Sequence, residues 1–349
     1  MNEFSKIKQI YEKLEDEYSK NIFMKRMLFS LSADNRYIEK MVWDCMRWYD
    51  KQDIMMLLID WIGKSNRSIV IFGAGFAGVQ IAGILQTMGK SVTCFVDNNK
   101  ELWGRRRNGL QICSPDILKE MNECLVVIGT NSYISDIRKQ LLGIGVTDER
   151  IFFPQKQWWI GPYTQYFEPE IMEPHEHESF IDGGSLDGSD SIKFMEWSDG
   201  NYDSMHIFEP DIVNLKKISD IVAENKRVSI YGEGLWSSTG ELRFQAGKEE
   251  NCFISEEGNT VIKVTSIDEK LCGSPVSVIK MDIEGSELEA LIGAKNTISR
   301  YKPRLAICVY HKPEDIIEIP LKILEYNPDY KLYLRHYSYV NTETVLYAI

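Results

Sequence analysis

Four charged residues crowd into one short stretch of this chain. Lys280, Asp282, Glu284 and Glu287 follow the apolar run Val276–Ile279, and Leu288, Leu291 and Ile292 then recur at helical spacing. A buried strand that ends in carboxylates and opens into a helix is what an α/β enzyme places at the floor of its site. Ligands of such sheets sit beyond the carboxyl ends of the strands. A surface acidic turn capping the next helix would use the same residue types, because acidic side chains are favoured at helix N-termini. The choice between a site and a cap falls to the rest of the chain.

A second constellation precedes it. Ser179-Phe-Ile181 is a short strand ending in Asp182-Gly-Gly184-Ser-Leu-Asp-Gly188, which is D-x-G-x-x-x-G between a strand and a helix over Ser189–Trp197. The next strand, Met205–Phe208, ends in Glu209-Pro210. A Gly-rich first turn with an acid ending the second strand suits a nucleoside ligand, and this spacing differs from a dinucleotide fingerprint. It suits S-adenosylmethionine, whose amino-acid end has no pyrophosphate and lies across the Gly183–Gly184–Gly188 loop. Glu209 can then take both ribose hydroxyls. An ordinary tight turn also asks for glycine, but acids at two successive strand ends favour a cofactor site.

The elements that carry these residues alternate between strand and helix through the third block, so a doubly wound α/β sheet is expected over 178–349. Strands are read at Val228–Tyr231, Val261–Val264, Arg304–Val309, Tyr330–Leu334 and Thr344–Ala348, with helices over Asp211–Ala223 and Pro313–Leu324. Residues 154–177 read as a linker from their Trp, Gly and Pro content, Trp158 and Trp159 among them. The His175-Glu-His-Glu178 run at its end has poor spacing for a metal on one face.

Upstream, residues 66–153 form a smaller unit. Ser68–Phe72 leads into Gly73-Ala-Gly75-Phe-Ala-Gly78, a helix, Gly89, and the strand Ser91–Val96 ending at Asp97. That is G-x-G-x-x-G with an acid about 20 residues on, placed to hold a nucleotide, a nucleotide-sugar or NAD(P). About four short strands are expected here. No Tyr-x-x-x-Lys pair is present, so a short-chain dehydrogenase or epimerase would lack its acid/base. Residues 1–65 read as a helical cap, from Ile7, Ile10, Leu14 and Tyr18 and then a block over Asp34–Ile62 that includes Met46 and Trp48. Such a cap packs on a neighbouring domain or on a second copy of the chain.

The chain has 349 residues, enough for two or more domains. A formal charge of −12 argues against a nucleic-acid or anionic-membrane face, and Arg105–Arg107, the compact basic run, reads as a solvated loop. Seven scattered cysteines without a C-x-x-C pair fit reduced thiols in a cytoplasmic protein. The longest apolar run, Ile69–Leu85, is too short and too interrupted to span a membrane.

Two resemblances sharpen this reading. The small unit resembles nucleotide-binding domains of bacterial surface-polysaccharide proteins, through G-A-G-F-A-G, Phe95-Val-Asp-Asn-Asn99 with Trp103-Gly104, and Cys113-Ser-Pro-Asp-Ile-Leu118. Residues 178–349 resemble the FkbM family of S-adenosylmethionine-dependent methyltransferases. The matching residues are Phe180-Ile-Asp-Gly-Gly184 with Gly188, Phe208-Glu-Pro210, Val264-Thr-Ser-Ile-Asp268, Ile279-Lys-Met-Asp-Ile-Glu-Gly-Ser-Glu287, Gly293-Ala294, Lys302-Pro303 and Tyr310-His311. The K-x-D-x-E-G-x-E run is the specific part. The chain departs from the family in having Gly183-Gly-Ser185 where Gly-Ala-Asn is usual.

This second resemblance implies a class I methyltransferase fold and methyl transfer to a hydroxyl of a sugar, glycan or related small molecule. It implies a base at Asp282 or His311, the latter suited by a pKa near neutrality. Glu284 and Glu287 are then candidates to bind acceptor hydroxyls, with Tyr310 beside them, or to bind a divalent metal, which the sequence leaves open. Lys280 either joins the catalytic group or pairs with a carboxylate, and His336 is a weaker candidate. The rival readings are an oxidoreductase or epimerase run from the Gly73–Gly78 loop and a non-catalytic scaffold in polysaccharide biosynthesis.

Overall fold

The computed structural model describes residues 2–45, 54–63, 65–154, 164–222, 225–245, 253–254, 260–338 and 341–349. Met46, Trp48, Trp158, Trp159 and Cys252 lie outside them. The chain divides into two compact units, Met1–Leu31 with Tyr163–Tyr337 and Thr342–Ile349, and Ser32–Pro162 with Ser338–Asn341.

In chain order the helices are α1 (Glu3–Lys13), α2 (Glu17–Ser32), α3 (Asn35–Cys45), α4 (Ile54–Ile62), α5 (Phe76–Thr87), α6 (Ile134–Gly143), α7 (Ser189–Trp197), α8 (Ile212–Val222), α9 (Ile267–Leu271), α10 (Glu287–Ile292), α11 (Lys295–Tyr301) and α12 (Asp315–Tyr326). The strands of the smaller unit are β1 (Ile69–Phe72), β2 (Val92–Val96), β3 (Arg106–Arg107), β4 (Leu110–Cys113), β5 (Leu125–Ile128) and β6 (Ile151–Phe152). They form one sheet in the order β3-β4-β2-β1-β5-β6, parallel except for β3. All four residues of β1 and of β5 are buried, as central parallel strands require. The glycine loop after β1 is tight. Gly73 has φ +105°, and a Cβ on Gly78 would lie 1.9 Å from the Gly73 carbonyl oxygen. Two expectations change here. The sheet has six strands rather than about four, and Arg106–Arg107 is an edge strand antiparallel to β4 rather than a loop.

The larger unit holds β7 (Glu178–Gly183), β8 (Tyr202–Phe208), β9 (Val228–Tyr231), β10 (Gly234–Leu235), β11 (Gly240–Gln245), β12 (Phe253–Ile254), β13 (Thr260–Thr265), β14 (Val278–Met281), β15 (Arg304–Cys308), β16 (Leu332–His336) and β17 (Thr344–Ala348). Seven of them make the main sheet in the order β16-β17-β15-β14-β7-β8-β9, with β17 alone antiparallel to its neighbours. A smaller sheet, β10-β13-β11-β12, stands beside it. The chain runs outward from β7 to β9, then returns to β14 and runs the other way. The switch point of this sheet therefore lies between β7 and β14, and that is where an open α/β sheet leaves a crevice for a ligand.

Two boundaries expected from the sequence differ from those of the structure. The helical cap is divided: α1 and most of α2 belong to the larger unit, where Lys13 Nζ donates to the Pro328 carbonyl at 2.6 Å and Arg335 Nη2 bonds Asp16 at 2.9 Å. In the smaller unit, Thr87 of α5 donates to Glu39 of α3 at 3.0 Å, and Trp61 meets Phe152 at 5.5 Å. The linker is also packed at its far end. Tyr166, Phe167 and Met172 are buried in one cluster with Phe180, Phe194 and Tyr202. Burying each such side chain stabilises by about 1.5–3 kcal/mol. The segment is thereby held on the sheet.

Candidate active site

Residues alternate across a strand, so Val278, Lys280 and Asp282 share one face of β14 and its end. Register places Lys280 opposite Asp182 of β7 and Ala306 of β15. Lys280 is 1% exposed, a position no lysine holds without partners. It has them: Nζ lies 3.1 Å from Asp182 Oδ1 and 3.2 Å from Asp190 Oδ2, and donates to the Gly184 carbonyl at 2.6 Å. Burial works against the Lys280 charge, but Asp182 and Asp190 outweigh it and hold its pKa above the ordinary lysine value. Lys280 is therefore a brace, not a catalytic group.

Asp182 is equally enclosed. Its Oδ2 accepts from Ser185 Oγ at 2.8 Å and Ser191 Oγ at 2.7 Å. A carboxylate with no exposure and these partners shapes the glycine loop from beneath instead of meeting the cofactor. The loop itself passes close to β14. Gly184 has φ +73°, and a Cβ there would lie 1.9 Å from the Asp282 carbonyl oxygen. Glycine is required at that point. Glu209 closes the loop on the other side, with Oε2 accepting from the Leu186 amide at 3.0 Å and Oε1 from the Asp211 amide at 2.9 Å. Burial pushes its carboxyl up, partly offset by those two bonds. Each oxygen keeps a lone pair for a hydroxyl, so Glu209, with Pro210 after it and the Gly183–Gly188 cradle, fits a ribose and the chain attached to it.

Beyond the loop the carboxylates gather. Tyr166 OH donates to Asp282 Oδ2 at 2.7 Å, and Tyr310 OH donates to Asp282 Oδ1 at 3.0 Å and to Glu343 Oε1 at 3.3 Å. Gln165 bonds the other oxygen of Glu343. His311, after β15, brings Nε2 to 3.4 Å from Asp282 Oδ1 and 3.5 Å from Glu284 Oε2. Its Nδ1 lies 3.0 Å from Glu287 Oε1, close enough for an ion pair but off the line that a straight hydrogen bond needs. Glu284 sits at φ +56° beside Gly285 at +87°, a reversal that turns β14 into α10 and swings Glu284 to the solvent side.

These charges act on one another. Burial lowers the His311 pKa, but Glu287, Asp282 and Glu284 outweigh it and hold it up at about 9. With no cation bound, this environment favours the protonated ring at neutral pH. Burial and the neighbouring carboxylates, opposed by His311, push Glu284 up to about 7. Burial, then Asp282, does the same to Glu343. Glu287 has no exposure and accepts the Ile283 amide at 2.8 Å, which keeps it back from the surface where an acceptor would arrive. Tyr310 is half-buried and faces Asp282. His336 is buried with Nδ1 2.9 Å from Thr344 Oγ1, within the sheet and apart from this group. His177 is 72% exposed beside Asp203, so the His175–Glu178 run gathers no metal ligands among the described residues.

Sequence reasoning misses Tyr166 and Glu343 altogether. The aromatic content of 164–167 is the only signal for the first, and nothing marks the second. In the smaller unit Asp97 spends its carboxylate on the loop, accepting from the Ala74 amide and the Asn99 amide, both at 2.8 Å. Gly73, Gly75 and Gly78 line that loop, with α5 opening after Gly75.

Strand order, the glycine loop after the first strand and the acid after the second make the larger unit a S-adenosylmethionine-dependent methyltransferase domain. Residues 182–340, somewhat under half the chain, match the family model described as the methyltransferase FkbM domain. Residues 65–152 match the model described as C2185-like, N-terminal. The chain is similar in fold to a methyltransferase FkbM from Methylobacillus flagellatus, with 20% identity, a TM-score of 0.51, and coverage of 85% of this chain and 96% of that one. Two weaker likenesses bear on neither fold nor function. One is Aeropyrum pernix fibrillarin with bound S-adenosyl-L-methionine, at 10% identity, a TM-score of 0.34, 51% of this chain and 69% of that one. The other is a UDP-D-quinovosamine 4-dehydrogenase from Vibrio fischeri, at 24% identity, a TM-score of 0.21, 24% of this chain and 75% of that one. No curated protein matches the chain. Among the described residues no helix is long and apolar enough to cross a membrane.

Proposed function

We propose that the larger unit methylates a hydroxyl of a sugar, a glycan or a related small molecule. One observation carries this reading: the cofactor cradle and the carboxylate cluster share a wall, because Gly184 packs directly on the Asp282 main chain. S-adenosylmethionine, when bound, supplies an already activated methyl group. The chain must then align a hydroxyl and take its proton. Asp282, fixed by Tyr166 and Tyr310, is the group nearest the cradle and the proton acceptor in this reading. Glu284 stands beside it at the solvent opening, where hydroxyls of a polar acceptor would arrive. His311 lies between Asp282, Glu284 and Glu287 and holds these carboxylates around one point. Several acceptor oxygens in one acidic pocket favour a polyol over an apolar acceptor.

Calorimetric titration with S-adenosylmethionine tests the cofactor half. The wild-type chain should bind it, and Glu209→Ala should weaken binding at least tenfold, since two hydroxyl contacts to a carboxylate are lost at about 1 kcal/mol or more each. Unchanged affinity in that variant would remove Glu209 from the cofactor site. In the same proposal, the Gly73–Gly78 loop holds a nucleotide or nucleotide-sugar. Support comes from its tight backbone and from the helix that opens at Gly75, whose amides favour an anion. The remaining proposals are a role in surface polysaccharide synthesis, a cytoplasmic location and self-association through the N-terminal helices.

A further inference from the structure

We propose that Asp282, Glu287 and His311 form a site for a divalent cation, magnesium or manganese, at the carboxyl ends of β14 and β15. One ligand atom from each lies within 4.8 Å of the other two. Cis ligands of an octahedral ion at about 2.1 Å stand roughly 3 Å apart, so a modest inward movement of the three would close on an ion. Oxygen donors with one imidazole suit these hard cations, and the bound ion takes the place of the His311 proton.

An acidic cluster alone would say little, but two further atoms point to a missing partner. Glu287 has no exposure, and its Oε2 is buried without a hydrogen-bond partner. His311 is 10% exposed, and neither ring nitrogen makes a hydrogen bond, although the ring is aimed between Glu287 on one side and Asp282 and Glu284 on the other. A buried carboxylate oxygen left without a donor costs about 1–3 kcal/mol or more, and a cation would satisfy it together with the imidazole. The charge balance agrees. Asp282, Glu284, Glu287 and Glu343 converge on a single imidazole, with Asp315 close behind. Tyr166 and Tyr310 supply the outer hydrogen bonds that hold a ligating carboxylate in place. Glu284, 42% exposed, guards the side from which waters or vicinal sugar hydroxyls would complete the coordination. The cation site stands on its own residues; its use in gripping a sugar diol rests on the methyl-transfer reading above.

The test is titration of Mn²⁺ into the EDTA-treated full chain, followed by the loss of the free-ion electron paramagnetic resonance signal. One Mn²⁺ per chain is expected, weakened at least tenfold by Asp282→Asn and by His311→Gln, and displaced by excess Mg²⁺. Glu284→Gln, at the surface and safe for the fold, should weaken it less. No binding by the wild type, or binding that Asp282→Asn and His311→Gln leave unchanged, overturns the proposal. S-adenosylmethionine is titrated in parallel. Cofactor binding without Mn²⁺ binding sinks the cation site alone, whereas Mn²⁺ binding without cofactor binding sinks the methyl-transfer reading alone.

Discussion

Asp282→Asn is expected to lower kcat/KM for methyl transfer by about 10²–10⁴-fold, the usual contribution of a positioned base, while leaving affinity for S-adenosylmethionine within a fewfold of wild type. The substitution keeps the size of the side chain and an acceptor oxygen for one of the two hydroxyls, Tyr166 or Tyr310, so the strand end and the Gly184 contact, which is to the main chain, should persist. It removes the negative charge that faces His311. Steady-state rates with a hydroxylated acceptor, paired with cofactor calorimetry, separate the two effects. A variant that still turns over at the wild-type rate would move the proton acceptor to Glu284, the other carboxylate at the opening. A variant that loses cofactor binding as well would mean that Asp282 belongs to the cofactor cradle. The size of the expected loss follows from position: few carboxylates in this chain are at once beside the cradle, held by two phenols and open enough to meet an acceptor.

Much of this site is legible in the sequence, because its backbone is local. The strand-then-acid pattern at Val276–Asp282 and the D-x-G-x-x-x-G turn each lie within a dozen residues, and periodicity reads them directly. What sequence cannot show is which side chains spend their chemistry on one another. Asp182 looks like a cofactor ligand until Lys280 is found opposite it across 98 positions. Glu287 begins α10, where an acid is ordinarily exposed, yet the positive-φ pair Glu284–Gly285 turns it inward against His311. Tyr166 comes from a stretch rich in Trp, Gly and Pro whose composition reads as a linker, and it reaches Asp282 across 116 positions. Helical spacing likewise marks 1–65 as helical but carries no information on which unit each helix joins. Local signals gave elements and motifs; burial, which depends on distant partners, decided roles.

Lys280→Met should destabilise the larger unit by about 3–5 kcal/mol, the cost of leaving buried charges without their partner. The physical reason lies in the count of partners. Asp182 has no exposure and Asp190 little, and Lys280 is the cation between them. Lys193 still reaches Asp190 at 2.9 Å, so the heavier loss falls on Asp182. The variant also forfeits the bond to the Gly184 carbonyl, which loosens the cofactor loop. Domains have about 5–15 kcal/mol of stability in all, so the melting temperature should fall on the order of 10 °C for a unit of this size. Thermal denaturation followed by circular dichroism measures it. Adding Asp182→Asn to Lys280→Met removes one stranded charge and should recover part of the loss, a non-additivity expected only of groups in one network. If the double variant were less stable than the single one by the full cost of Asp182→Asn alone, the two residues would not be coupled and the brace would have to be sought elsewhere. The same network sets an acid limit for the wild type. Burial opposes ionisation of Asp190, but Lys280 and Lys193 outweigh it and hold its pKa below 3.8. A carboxyl depressed in the folded state contributes stability that is complete above its unfolded value and is lost as pH falls through the folded one. Denaturant midpoints should therefore hold this contribution down to about pH 4 and lose it below, and Lys280→Met should flatten that acid dependence.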